Sequence, residues 1–177
     1  MGSYATSYIK TTSASATRVA DFATTNNISS LFGSTEGSFF IEMTADFTNT
    51  NGSIPLFLRS SINSTFNRAT YLQFGSGTIA LNVYLAGALE ASIFSGTYTE
   101  GQKLKIAFAY KQNDFVLYIN GSLIGTDTSG NISASLAFID LGTYSLAAST
   151  FQYNGAISEA VLFPTRLTNT ELAQLTA

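Results

Sequence analysis

The chain has 177 residues, enough for one domain with a substantial core and too few to require two. Apolar residues make up 45% and charged residues 11%, a mix that argues against disorder, and no apolar run is long enough to span a membrane as a helix. The net charge of -3 and the scatter of the eight basic residues argue against nucleic acid, while the absence of Cys and His removes disulfides, thiol chemistry, His-based proton transfer and the usual zinc ligands.

Residues 1–20 are rich in Ser, Thr and Ala without sustained periodicity. They read as a linker or edge segment leading in from a preceding module, with the domain proper at 21–177. Strand signals then follow one another: short Phe, Ile, Leu, Val, Tyr and Thr runs separated by Gly, Asn, Ser and Asp. Over 38–47, Phe39, Ile41, Met43, Ala45 and Phe47 fall on one face, and Phe40, Glu42, Thr44 and Asp46 on the other. Residues 55–59 place Leu56 and Leu58 inward; 69–74 place Thr70, Leu72 and Phe74 inward; 78–85 place Ile79, Leu81, Val83 and Leu85 inward. Residues 90–94 form a shorter strand.

Over 103–111, Leu104, Ile106, Phe108 and Tyr110 alternate with Lys105, Ala107, Ala109 and Lys111, whose face is read as solvated. The short turn at 112–114 leads into 115–120, so these two strands must form an antiparallel hairpin. Asn120-Gly121 marks a second tight turn, returning through 122–125. Residues 136–141 and 155–163 are the last strands. The tail 168–175 is a short helix, with Thr168 as N-cap and Glu171 as its reciprocal partner. About ten short strands with one solvated face each predict an all-β fold: a two-sheet antiparallel jelly-roll sandwich with a short C-terminal helix.

The C-terminal half carries an ordered set of elements. The strand 103–110 is followed by 115–124, which contains Tyr118-Ile119-Asn120-Gly121; then come Leu141-Gly142, Gly155-Ala156-Ile157 and the closing helix. In this order they resemble the laminin-G-like branch of the concanavalin A-like lectin and glucanase superfamily, over residues 36–177. Residues 5–12 followed by 17–21 resemble a junction found in bacteriophage tail and other virion proteins, with Lys10 where that pattern usually has Pro. Together these resemblances imply a module of a longer phage or bacterial surface protein, extracellular or virion-associated.

Some members of that superfamily are glucanases, which need two carboxylates about 5 to 9.5 Å apart. Glu42 and Asp46 share a strand face, but four residues of strand separate them by about 13 Å. A Ser or Thr nucleophile would have no His base. No catalysis is expected. Calcium is the one plausible metal, since it takes oxygen ligands; Asp46 with Asn49, or Asp140, could supply them, or could simply cap loops.

The remaining chemistry is glycan binding. Sugars stack on aromatic rings and hydrogen-bond to planar polar side chains. Alternation places Phe57 and Arg59, Tyr71 and Gln73, and Asn82 and Tyr84 on the outward faces of three successive strands. If those strands are neighbours, the six side chains form one patch, unless loops cover Phe57 and Tyr71. A second candidate is the 144–153 loop with Tyr144, Phe151 and Tyr153. The leading expectation is a non-catalytic carbohydrate-binding module, its partners a polymeric or cell-surface glycan, neighbouring modules and further copies of itself. The other expectation is a structural or adhesin module without a glycan site.

Overall fold

In the computed structural model the alternating runs become strands that pair antiparallel into two sheets. The structure describes residues 23–26, 28–31, 33, 35–45, 52–60, 68–75, 77–132, 136–142 and 151–177; the proposed linker 1–20, Asp46, Phe47 and Asn49 lie outside them. The strands are β1 (Ala23–Asn26), β2 (Glu36–Thr44), β3 (Ser53–Arg59), β4 (Arg68–Gly75), β5 (Thr78–Leu85), β6 (Ala88–Thr97), β7 (Lys103–Lys111), β8 (Asp114–Ile119), β9 (Ser122–Asp127), β10 (Phe138–Leu141) and β11 (Ile157–Phe163). Helix α1 (Asn169–Thr176) follows. One sheet has the order β1-β10-β3-β4-β5-β6 and the other β11-β2-β7-β8-β9. This is the expected jelly-roll sandwich. β1 is new relative to the sequence reading, because Ala-Thr-Thr-Asn has no apolar alternation and all four residues are exposed.

The tight turns follow from residues that tolerate left-handed backbone. Asn120 and Gly121 have φ of 48° and 77°, and Ala86 and Gly87 have 52° and 82°. Paired positive φ values suit two-residue hairpins, whose twist then matches the strands. Between the sheets, one face of each strand set forms a continuous core. Phe39, Ile41 and Met43 of β2 and Leu104, Ile106 and Phe108 of β7 meet Leu56, Leu58, Leu72, Phe74, Leu81 and Val83 from the opposite sheet. Phe39 and Phe108 are cross-strand partners, and their ring centroids lie 5.5 Å apart.

The two outer faces are treated differently. On the five-stranded sheet Phe40, Ala107, Ala109, Val116 and Tyr118 form a second apolar cluster under Leu172 of α1. The sequence reading set Ala107 and Ala109 on a solvated face with Lys105 and Lys111. Both alanines are fully buried, because their small side chains leave room for the helix to lie across them. The helix starts as expected: Thr168 Oγ1 accepts from the Glu171 N–H, and the Glu171 carboxylate accepts from the Thr168 N–H at 2.7 Å. Thr176 Oγ1 then accepts from the Gly121 N–H, fixing the far end of α1 to the β8–β9 turn.

Two substitutions test this seal. Thr168→Ala removes a cap and is expected to cost about 1 kcal/mol. Leu172→Ala empties the centre of the helix–sheet contact and is expected to cost about 2–5 kcal/mol. Urea denaturation reads both; a Leu172→Ala protein as stable as the parent would show that α1 does not hold the sheet.

Candidate functional site

Among the described residues no helix covers the outer face of the six-stranded sheet, and its register brings outward side chains into rows. Thr24 pairs with Asp140, Asp140 with Phe57, Phe57 with Tyr71, Tyr71 with Asn82, and Asn82 with Ser92. In a parallel row Phe138 pairs with Arg59 and Tyr84 with Leu89, the β4 backbone at Ala69 lying between Arg59 and Tyr84. A third joins Gln73, Ala80 and Phe94. The three strands bearing the sequence-predicted patch are therefore neighbours, as that patch requires.

The rows are not uniformly open. Arg59 is 1% exposed and Asp140 fully buried. Arg59 Nε donates to Asp140 Oδ2 at 2.6 Å, and its Nη2 donates to Oδ1 at 3.1 Å. Thr24 Oγ1 donates to the same Oδ1 at 2.6 Å. The guanidinium also lies 4.7 Å from the centre of the Phe138 ring. Such a fork-to-fork pair satisfies both ions. The expectation that Arg59 faces solvent is thus corrected: alternation puts it on the outer face, but the pair with Asp140 seals it there. The same pair occupies Asp140, which the sequence offered as a calcium ligand. Among the described residues no group of three acidic side chains is placed to hold a metal.

Phe57 is also sealed. It is fully buried, in a cluster with Ile54 and Tyr71 against which Tyr84 and Phe151 pack. Tyr71 is 5% exposed, its ring 5.7 Å from Phe57 and stacked on Tyr84 at 6.0 Å. Burial, with Tyr84 adding to it, pushes the Tyr71 phenol well above its usual range, so it stays protonated. Phe151, from the second candidate region, folds over this end of the sheet, its carbonyl accepting from the Ile54 N–H at 3.0 Å. Tyr153 of the same region sits in the inter-sheet core, its hydroxyl donating to the Thr44 carbonyl. Tyr144 lies outside the described residues.

Gln73 and Tyr84 are partly open. Gln73 lies over Gly52, where a Cβ would fall 2.5 Å from its amide nitrogen. Asn82 is 7% exposed and its Oδ1 accepts from Ser92 Oγ at 2.9 Å. The face becomes most accessible at β6, where Leu89 is 52% and Phe94 66% exposed. Sequence reasoning did not single out Phe94. The signal was present: in 90–94, Ala91 and Ile93 turn inward, so Ser92 and Phe94 must turn out.

β6 is the sheet edge, and its pairing with β5 shifts register twice, between Val83 and Tyr84 and between Thr78 and Ala80. Such bulges blunt an edge and re-aim side chains. Its outer side is tied to the other sheet, where Asp127 Oδ2 accepts from the Ser92 N–H at 3.3 Å. The Asp127 carboxyl is held below its usual range, chiefly by the Ser129 N–H, with the Ser129 hydroxyl and the Ser92 N–H helping against partial burial. At the opposite edge, a cleft of about 510 Å³ opens between β10 and β11, lined by Ala23, Leu141, Gly142 and residues 153–157. Tyr153 and Asn154 give its lining polar groups, and no charged side chain lines it.

No family model matches the chain, and no curated protein matches it. Solved structures do. A CBM40 of the Ruminococcus gnavus IT-sialidase bound to α2,3 sialyllactose superposes with a TM-score of 0.68 at 16% identity, covering 86% of this chain and 91% of that one. The NanB sialidase of Streptococcus pneumoniae gives 0.67 at 18%, with 86% of this chain against 26% of that one, so the likeness spans about a quarter of that enzyme. A heptameric SAP-like pentraxin from Limulus polyphemus gives 0.62 at 14%, covering 80% and 70%. At these identities the likeness shows the shared concanavalin A-like jelly roll.

Two measurements follow from this face. Arg59→Ala is expected to destabilise by about 3–5 kcal/mol by stranding a buried carboxylate, while Arg59→Met with Asp140→Leu should recover most of that loss; equal losses in both would refute the argument. Because the Asp127 pKa is lowered by folding, its contribution is present above about pH 4 and lost as pH falls through the folded value. The parent Tm should therefore drop more steeply below pH 4 than that of Asp127→Asn.

Proposed function

We propose that the chain is a non-catalytic carbohydrate-binding module that holds a glycan against the outer face of its six-stranded sheet. The observation that carries this reading is the asymmetry of the two outer faces. One is closed by α1, and the other presents partly open Tyr84 and Gln73 beside the Asn82–Ser92 pair. An aromatic ring beside amide and hydroxyl groups is the chemistry that a sugar needs. The fold shared with a CBM40 bound to sialyllactose supports a carbohydrate ligand, without specifying its charge. Of the six residues expected to bind, Gln73, Asn82 and Tyr84 are kept as contacts; Phe57, Arg59 and Tyr71 support the face from beneath.

The non-catalytic reading is supported by the Asp140 carboxylate, the one acid among these rows, being committed to Arg59. A calcium held by Asp46 and Asn49 stays within the proposal. So does a parent that is a phage tail or bacterial surface protein outside the cell, which rests on residues 5–21 and the laminin-G-like element order alone. Single-site binding of this kind is weak, and display of several copies would raise it by avidity. The other reading, a structural module docking against protein, is favoured by one observation: Leu123 on the five-stranded sheet is 51% exposed without belonging to the sugar face.

A glycan array with the multimerised chain, run with and without a calcium chelator, tests the proposal. At least one glycan should be retained, with affinity falling about tenfold in Tyr84→Ala. Retention of none would leave the structural reading. Loss of retention on chelation would support the calcium.

A further inference from the structure

We infer that the binding site is centred on the β5–β6 edge of the sheet, with Phe94 as its aromatic platform, and that its ligand is an uncharged oligosaccharide. The inference rests on the glycan-binding reading above and specifies both its place and its ligand class.

The placement follows from register. Along β5 the outward side chains are Tyr84, Asn82 and Ala80; their β6 partners are Leu89, Ser92 and Phe94. Large apolar groups therefore stand at both ends, and short ones lie between. Tyr84 and Ala80 are four residues apart, about 13 Å along the strand. Phe94 stands beside Ala80, so the trough between the Tyr84 and Phe94 rings matches roughly two sugar units. Its middle is polar: Ser92 Oγ donates to Asn82 Oδ1 at 2.9 Å. That pair still offers amide N–H donors and oxygen lone pairs to ligand hydroxyls. A Phe 66% exposed on a sheet face, with Ala80 rather than a bulky neighbour beside it, leaves a ring face open for stacking. Toward β3 the same sheet offers no such opening, since Phe57, Arg59 and Asp140 are buried.

The ligand class follows from charge. The described cation in these rows is Arg59, and Asp140 neutralises it. Arg68 opens β4 opposite Leu85, one residue beyond the Ala69–Tyr84 pair, and the remaining described cations lie elsewhere in the fold. Lys103, Lys105 and Lys111 are on β7 of the other sheet, and Arg166 pairs with Asp114 at 2.9 Å. Two carboxylates border the trough. Asp127 accepts from the Ser92 N–H, and Glu90, two residues from Ser92, accepts from the Asn131 N–H at 2.8 Å. Both carboxylates lie within about one Debye length of the trough, close enough to repel an anion. A carboxylated or sulfated sugar would meet repulsion there, with no compensating charge among the described side chains of the trough. A neutral sugar meets rings, an amide and a hydroxyl.

The test is an array printed with neutral oligosaccharides and with sialylated and sulfated ones, probed with the parent chain, Phe94→Ala and Leu123→Ala. Phe94 and Leu123 are both exposed, so neither change threatens the fold. Retention of neutral glycans, reduced about tenfold or more by Phe94→Ala and unaltered by Leu123→Ala, is the expected result. Retention of acidic glycans alone, or neutral binding indifferent to Phe94→Ala, would overturn this inference while leaving the glycan-binding function standing. Retention of no glycan of either kind would overturn both.

Discussion

The ion pair between Arg59 and Asp140 is the interaction on which the outer face of the six-stranded sheet depends. It joins β3 to β10 directly, and the Thr24 hydroxyl extends it to β1. Three strands from distant parts of the sequence are thus pinned by one carboxylate. Both ions are buried, so each is tolerable only in the presence of the other. The pair also cancels the charge of the sheet face locally. The Arg59 guanidinium is thereby withheld from any ligand, because the fold uses it to hold β3 and β10 together.

The sandwich has two outer faces, and the chain resolves each by a different device. On the five-stranded sheet, small residues at 107 and 109 form a bed for α1, and a capping box sets where the helix begins. On the six-stranded sheet, apolar material is concentrated toward β3, where Ile54, Phe57, Tyr71 and Phe151 cover one another. Toward β6 the face opens, and Leu89 and Phe94 stand exposed. The free surface is what remains after packing requirements are met elsewhere, and it ends at an edge strand whose bulges keep it from pairing with another chain.

Much of this was legible in the residues. The alternation in β2, β5 and β7 predicted their inward side chains, because one face of each is buried and the pleat leaves no choice. The capping box at Thr168 and Glu171 was readable because it is local. What escaped the sequence was what lies on top of an outward face. Alternation cannot say whether Arg59 meets water or Asp140, which is 81 residues away in the chain. Nor can it say that Phe151 will fold over Phe57, or that α1 will lie across Ala107. β1 was missed because four exposed polar and small residues carry no pattern, and their pairing with β10 is decided by the rest of the sheet.

The position of β10 between β1 and β3 sets the order in which the domain can assemble. β7, β8 and β9 are joined by two-residue turns, so their ladders close short loops at little entropic cost. β10 must return across 81 residues to reach Arg59 and across 116 to reach Thr24. Long loops are closed late, after local structure has shortened the effective path. The buried ions consequently find each other when most of the sheet already stands. Their attraction does little to start the domain and much to keep it shut, as a latch differs from a hinge.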